Sequence, residues 1–398
     1  MPHIVFEKKD LISTPSQKDG VDFKFIAKSY NFTQKTRKIE YRIALEHENK
    51  EFLLSLKPKN DDFMIKADKV TRLSPVTLVK NALNAYVNLN NAKVLFSNTN
   101  NLKLKEEITN KYLKDINYFV DEFKTDKEIQ IEIGFGSGRH LLHQAKTNPN
   151  IQFVGLEIHY PSIEQLLKQL ELQNITNVLV VNYDARLFME FIESNKVGRI
   201  FVHFPVPWDK KPHRRVFSAA FIEEALRVLH VNGTLELRTD SQLYFEFTFS
   251  QMMQLSKANV QVKKNAELEI TSKYEDRWRK MEKDIYDVTL TNESASLPIP
   301  KLGTLRFDEC VDFAKVRDSF KDDLLRGDGF FVHFEELFEI DDKSGLIRLS
   351  FGANERNEKC YILIQEGKLS YLPDRILATK SNLAAHTLIK EWFHGICD

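Results

Sequence analysis

Glu132-Ile133-Gly134-Phe135-Gly136-Ser137-Gly138 sets three glycines at alternate positions directly after a carboxylate. Alternate glycines let a chain turn tightly and let a ligand approach the backbone closely. Loops of this kind serve nicotinamide, flavin and S-adenosylmethionine cofactors, and they also occur as plain strand-to-helix turns. The spacing lacks the third glycine that a pyrophosphate cradle requires. A carboxylate ahead of the first glycine suits a cofactor whose near end is a cationic amino-acid sulfonium. Glu157 then follows at the distance where such folds place an acid against ribose hydroxyls, and Asp184 closes a third apolar run, where it could accept from an adenine amino group.

A second constellation is HFPVPWDKKPHRR, His203 to Arg215. Pro205 and Pro207 stiffen the backbone and Trp208 offers a broad face, so this stretch can wall a planar ring. Lys210, Lys211, His213, Arg214 and Arg215 follow at once, a local basic patch able to meet phosphates. The bland alternatives are a loop packed onto a core and a solvated charged face.

These residues need a scaffold, and the middle third supplies one. The short apolar runs 128–134, 151–158, 177–185, 199–205 and 233–240 alternate with the helical stretches RHLLHQAKTN, SIEQLLKQLEL, RLFMEFIESN and FSAAFIEEALRVLH, the last with Ser218 as N-cap and Gly233 past its end. Such alternation predicts an α/β fold, a mostly parallel, doubly wound sheet with helices on both faces. Glu132, Glu157, Asp184, Pro205 and Asp240 then share the C-terminal edge of successive strands, where open α/β sheets bind ligands.

The flanks read differently. Residues 1–100 predict a β-rich accessory module ending in the loop VNLNNAKVLFSNTNN (87–101), and residues 101–292 the core, opening on a helix in LKLKEEITNKYLKDINYFVDEF. Residues 293–398, after the linker-like TNESASLPIPKLG, predict a small α+β module closed by the helix LAAHTLIKEWF. Basic segments at 34–42, 57–72 and 103–114 could extend a nucleic-acid footprint or be solvated faces.

Composition sets the outer bounds. A chain of 398 residues implies two or three domains, and 42% hydrophobic with 29% charged residues is ordinary for a globular protein. The formal net charge of +0 argues against nonspecific coating of nucleic acid, while leaving room for a confined basic patch. Three scattered cysteines support neither a disulfide framework nor a metal site, and no metal is expected. The N-terminus lacks a secretory signal and no apolar run approaches a membrane span, so a cytoplasmic protein without a membrane partner is expected.

The ordered set EIGFGSG, VGLEIH, YDA, FPVPWDKKPHRR, LRTD and SKYEDRW with IYDVTL resembles the tRNA (guanine-N7)-methyltransferases over about residues 125–292. The resemblance implies an enzyme with a Rossmann-like class I methyltransferase core that uses S-adenosylmethionine to methylate the variable-loop guanine of tRNA. It implies cofactor contacts from Glu132, Gly134, Gly136, Gly138, Glu157 and Asp184. It implies substrate contacts from Trp208, Lys210, Arg214, Arg215, Asp240 and the run Ser272, Lys273, Tyr274 and Glu275, which departs mildly from the usual Thr-Lys-Phe-Glu. Family members read F-P-D-P-W with a catalytic aspartate, where this chain has Val206.

Guanine N7 carries a lone pair and no proton, so its methylation needs alignment rather than a general base. A carboxylate could still accept from guanine N1 and N2, and Asp240 and Glu275 are the expected catalytic substitutes, with Asp209 as a further option. Two other classes compete: an amino-group methyltransferase, disfavoured by valine at 206, and a tRNA-binding protein without catalysis, disfavoured by the complete cofactor rim. A dinucleotide oxidoreductase is disfavoured by the glycine spacing.

Overall fold

A computed structural model describes residues 2–30, 39–71, 73, 76–99, 111–267, 283–299, 305–353, 357–373 and 376–397. The chain forms two compact units, one of Thr109–Leu302 and one of Met1–Ile108 with Gly303–Asp398.

The first unit follows the alternation of its sequence: β1 (Leu113–Lys114), α1 (Ile116–Asp121), β2 (Ile129–Ile133), α2 (Arg139–Thr147), β3 (Gln152–Leu156), α3 (Tyr160–Leu172), β4 (Val178–Val181), α4 (Ala185–Phe188), β5 (Val197–His203), α5 (Ala219–Val228), β6 (Leu229–Thr239), α6 (Gln242–Met252), β7 (Asn259–Lys264) and β8 (Tyr286–Thr291). The strands lie in the order β7-β8-β6-β5-β2-β3-β4-β1. All pairings from β6 through β1 are parallel, whereas β8 joins β6, and β7 joins β8, antiparallel. The sheet is therefore mixed, a Rossmann-like α/β sheet with an antiparallel edge.

Both faces of this sheet are covered, which is why its strands read as near-continuous apolar runs. Ile131, Val154, Ile200 and Leu235 pack on one side against Phe221 and Ala225 of α5 and Tyr244 of α6. Phe153, Val178 and Val180 pack on the other against Leu141 of α2 and Leu166 of α3. The strand order reverses between β2 and β5, so the crevice of a topological switch point opens at their C-terminal ends. The glycine loop follows one of these strands and the proline loop follows the other.

Three local expectations are corrected here. RLFMEFIESN makes one α-turn and then a 3-10 turn, Met189–Phe191, where the Arg227 guanidinium also donates to the carbonyls of Met189 (2.7 Å) and Ile192 (2.9 Å). Ser218 does cap α5, its hydroxyl accepting from the Phe221 amide at 3.2 Å. Gly233, however, lies inside β6, where its carbonyl accepts from the Asn292 amide at 2.8 Å. Of the helix expected over LKLKEEITNKYLKDINYFVDEF, residues 102–110 lie outside the described residues. The remainder divides into β1 and α1, with the Asp115 carboxylate capping the Tyr118 amide at 3.0 Å.

Among the described residues, the second unit is built on a twelve-stranded sheet whose pairings are all antiparallel. Its N- and C-terminal halves, expected as separate modules, share this sheet: Phe338 and Glu339 pair with Ser29 and Lys28. A fully buried Arg42 fastens the junction, with its Nε donating to Tyr361 Oη at 2.9 Å and its guanidinium 4.5 Å from the Phe338 ring. Of the segment 87–101, expected as a loop, residues 100 and 101 lie outside the described residues, and the rest completes the helix Val76–Asn90 and supplies the edge strand Val94–Ser97. Tyr86 and Val87 are buried in the cluster that this helix makes with Ile4, Phe6 and Phe23, which carries the helix beyond the apparent start of the loop.

Candidate active site

The glycine loop leaves β2 in a conformation only glycine adopts without strain. Gly134, Gly136 and Gly138 all have left-handed φ, between +51° and +73°. At Gly138 a Cβ would meet Leu166 Cδ1 at 2.6 Å, so α2 and α3 can pack closely there. At Gly134 a Cβ would meet nothing within 4 Å, so the backbone borders open space.

Glu157, the first residue after β3, holds this loop open. Its Oε2 accepts from the Gly136 amide at 3.0 Å, while Oε1 accepts from the amides of Ile158 and His159 at 2.8 and 3.0 Å. One carboxylate thereby joins the turn after β2 to the turn after β3. Asp184 lies three residues beyond β4 and caps α4, accepting from the Arg186 amide at 2.9 Å and pairing with the Arg186 guanidinium at 3.0 Å.

Glu132 is buried within β2, and its Oε2 lies 2.8 Å from His140 Nδ1 on the first turn of α2. Burial pushes the His140 imidazole down, but the charge and hydrogen bond of Glu132 outweigh it, and His140 sits above the ordinary histidine value. His203, at the end of β5, packs its ring 4.6 Å from that of His140. Desolvation, then the neighbouring His140, Arg238 and Arg199, push His203 well below the ordinary value. Two touching imidazoles, one favoured as a cation and the other held neutral, thus flank the acid of the glycine loop. His140 and His203 were not singled out from sequence; the available signal was a histidine one helical turn past the loop, since their contact arises from strand pairing.

The proline loop is preformed. The Phe204 amide donates to the Arg238 carbonyl at 2.7 Å, and Phe204 and Trp208 both have left-handed φ, at 50° and 48°, a conformation that costs a non-glycine residue about 1–2 kcal/mol. Arg215 holds it there. Its Nε donates to the Pro207 carbonyl at 2.7 Å, an amino group donates to Asp209 at 3.3 Å, and the guanidinium lies 5.1 Å from the Tyr244 ring and 4.8 Å from the Phe247 ring of α6. Tyr244 Oη in turn accepts from the Val216 amide at 3.0 Å, and burial pushes this phenol up to about 12.

Arg215, expected as a substrate contact, is buried at 6% exposure, with the aromatic face of α6 and the Pro207 carbonyl against its charge. Asp209 is its ion partner. Arg214 stays outside, stacked 5.0 Å from the half-exposed Trp208, and Lys210 and Lys211 are exposed. Val206 projects with 62% of its surface in solvent. Asp240 follows β6 at the same rim, engaged by Lys283 Nζ at 2.9 Å. Ser272, Lys273, Tyr274 and Glu275 lie outside the described residues, as does the side chain of His213.

The parallel strands thus bring Glu132, Glu157, Asp184, the proline loop and Asp240 to one edge. A cavity of about 650 Å³, lined by Phe119, Phe123, Ile129, Glu190 and Pro298, lies at the opposite end of the strands, where β2 begins, and contains none of these groups.

A family model described as "Putative methyltransferase" matches residues 126–288. The tRNA (guanine-N(7)-)-methyltransferase of Wolinella succinogenes is 42% identical over 98% of this chain and 100% of its own length. That of Campylobacter fetus subsp. fetus is 38% identical over 98% of each chain. Among solved structures, an rRNA methylase from Streptococcus thermophilus is similar at 12% identity and a TM-score of 0.32, covering 44% of this chain and 93% of its own. At this identity and coverage the flanking unit is shared with the relatives as well as the core, and the chain belongs to the tRNA (guanine-N(7)-)-methyltransferase family.

Proposed function

We propose that this protein transfers a methyl group from S-adenosylmethionine to N7 of the variable-loop guanine of tRNA, without a carboxylate at position 206. The observation that carries this reading is the placement of an acid-led glycine loop and a rigid aromatic-basic loop at the two strand ends of one switch point, in a chain of this family. The residues fit the cofactor: the open backbone at Gly134 gives access, and the two acids offer charge and acceptors. S-adenosylmethionine supplies an electrophilic methyl group on a sulfonium.

Glu132 would face the cationic amino-acid end of the cofactor, Gly134, Gly136 and Gly138 would let it reach the backbone, and Glu157 would accept from the ribose hydroxyls. Asp184 shares its carboxylate between Arg186 and the adenine amino group. Trp208 and the prolines wall the guanine, while Lys210 and Arg214 meet the RNA backbone. These residues would hold the guanine N7 lone pair in line with the methyl group of the bound cofactor. No proton moves, so the chain's task is alignment. Asp240 accepts from the guanine N1 and N2 donors once Lys283 yields it, and Glu275 does the same from the segment outside the described residues.

The test incubates purified protein with S-adenosylmethionine and unmodified tRNA and maps 7-methylguanine by chain cleavage at the modified base. A cut in the variable loop is expected. Tight tRNA binding with no such cut would overturn the catalytic reading, and a cut elsewhere would overturn the choice of guanine.

A further inference from the structure

The antiparallel register of the flanking unit assembles a patch that no single segment of the sequence displays. His3 stands opposite Lys66, and Lys66 opposite Ser55, across three adjacent strands, so their side chains share one face. Val5 pairs with Phe96, which puts Phe96 on that same face at the edge of the sheet. The opposite face carries Ile4, Phe6, Leu54 and Ile65 and is filled by the helix Val76–Asn90. Lys57, paired with Met64, sits diagonally from Lys66, and Lys69 follows in the turn after that strand.

The charges in this patch do not cancel. Glu40 pairs with Lys57 and also with the buried Arg42. Lys66 and Lys69 form no ion pair among the described residues. Burial, then the charges of Lys57 and Lys69, hold Lys66 below the ordinary lysine value. Beside these cations Phe96 is 51% exposed, and its ring stacks on His3 at 5.2 Å and 29°. Cations next to an exposed aromatic stack match a phosphate backbone with an unpaired base.

We propose that the face bearing His3, Phe96, Lys57, Lys66 and Lys69 is a second contact surface for the tRNA, with the lysines on backbone phosphates and the Phe96–His3 stack on an unpaired base. This rests on the methyltransferase reading above, since that reading supplies the RNA. Two sites on one folded RNA bind with a joint affinity beyond either alone, and a chain of zero net charge gains RNA affinity without coating nucleic acid at large.

The full-length Lys66→Gln/Lys69→Gln variant, which leaves the Lys57–Glu40 pair in place, is compared with wild type for tRNA affinity across salt concentration. Two lost phosphate contacts should lower the log–log salt slope by about 1.4–1.8 and the affinity at about 0.1 M salt by at least tenfold. Phe96→Ala should weaken binding about tenfold with the slope unchanged, because stacking releases no counterions. The KM for tRNA should rise in each case, while kcat and S-adenosylmethionine affinity stay at wild-type values. A wild-type slope and affinity in the lysine variant, alongside a wild-type enzyme that methylates tRNA, would overturn the patch. A wild type that never methylates tRNA would overturn the functional reading instead.

Discussion

Replacing Arg215 with glutamine tests whether the proline loop is held by the protein or waits for RNA to order it. The charged hydrogen bond to the Pro207 carbonyl at 2.7 Å contributes about 1.5–3 kcal/mol. The guanidinium stacked on Tyr244 and Phe247 adds about 1–2 kcal/mol, and the pair with the half-exposed Asp209 adds at most about 1 kcal/mol. Glutamine recovers part of the hydrogen bonding and none of the cation–π contact, leaving a loss of about 2–3 kcal/mol against loop order. Phe204 and Trp208 would then relax from left-handed φ, shifting the ratio of ordered to open loop by about 30- to 150-fold. If guanine must stack in the ordered loop, kcat should fall by one to two orders of magnitude, with S-adenosylmethionine affinity within about twofold of wild type. Single-turnover methylation and calorimetric cofactor binding measure both quantities. The decisive control is the salt dependence of tRNA binding: a slope lowered by about 0.7–0.9 with kcat intact would show that Arg215 meets a phosphate, and the clamp would be refuted.

Three further outcomes follow from the same geometry. Glu157→Ala leaves the amides of Gly136, Ile158 and His159 without their acceptor, and calorimetry should show at least a tenfold loss of S-adenosylmethionine affinity; unaltered binding would remove Glu157 from the cofactor site. Val206→Asp places a carboxylate on a side chain that is already mostly in solvent, so the fold should be undisturbed. The kcat should then rise several-fold, and a fall would mean that this loop has been rebuilt around valine. His140→Gln should narrow the pH dependence of stability in urea titrations. His140 lies above its unfolded value, so its contribution is complete below about pH 6.5 and disappears as pH rises through the folded value. The gap between wild type and variant should accordingly be widest in mild acid and shrink toward alkaline pH. His203, depressed by burial, works the other way and costs stability as pH falls below the ordinary histidine value, which is why the comparison is made against the variant.

Much of the core was legible because its signals are local. Apolar runs of strand length alternate with helical periods, and the glycines of Gly134–Gly138 state their own backbone requirement. The failures share a cause in contacts distant along the chain. Arg227 binds the carbonyls of the segment after α4 from about 35 residues away, and Tyr86 and Val87 carry the helix Val76–Asn90 into apparent loop sequence by joining a core made with strands far upstream. In the basic run after Trp208, the burial of Arg215 was likewise not legible, because only the folded chain brings Tyr244 and Phe247 beneath it.

By itself, then, the sequence determined the chemistry on offer: an acid-led glycine turn, acids at strand ends, and a stiff aromatic loop beside cations. Residue type and short spacing are enough to specify these, since each depends on backbone preferences of a few consecutive residues. The tertiary structure alone decided which charges are available. Helix packing set His140 on Glu132 and withdrew Arg215 into the core, and strand pairing joined two distant flanks into one sheet on which Lys66 meets His3. Burial and the proximity of other charges govern ionic groups, and both are properties of the packed chain.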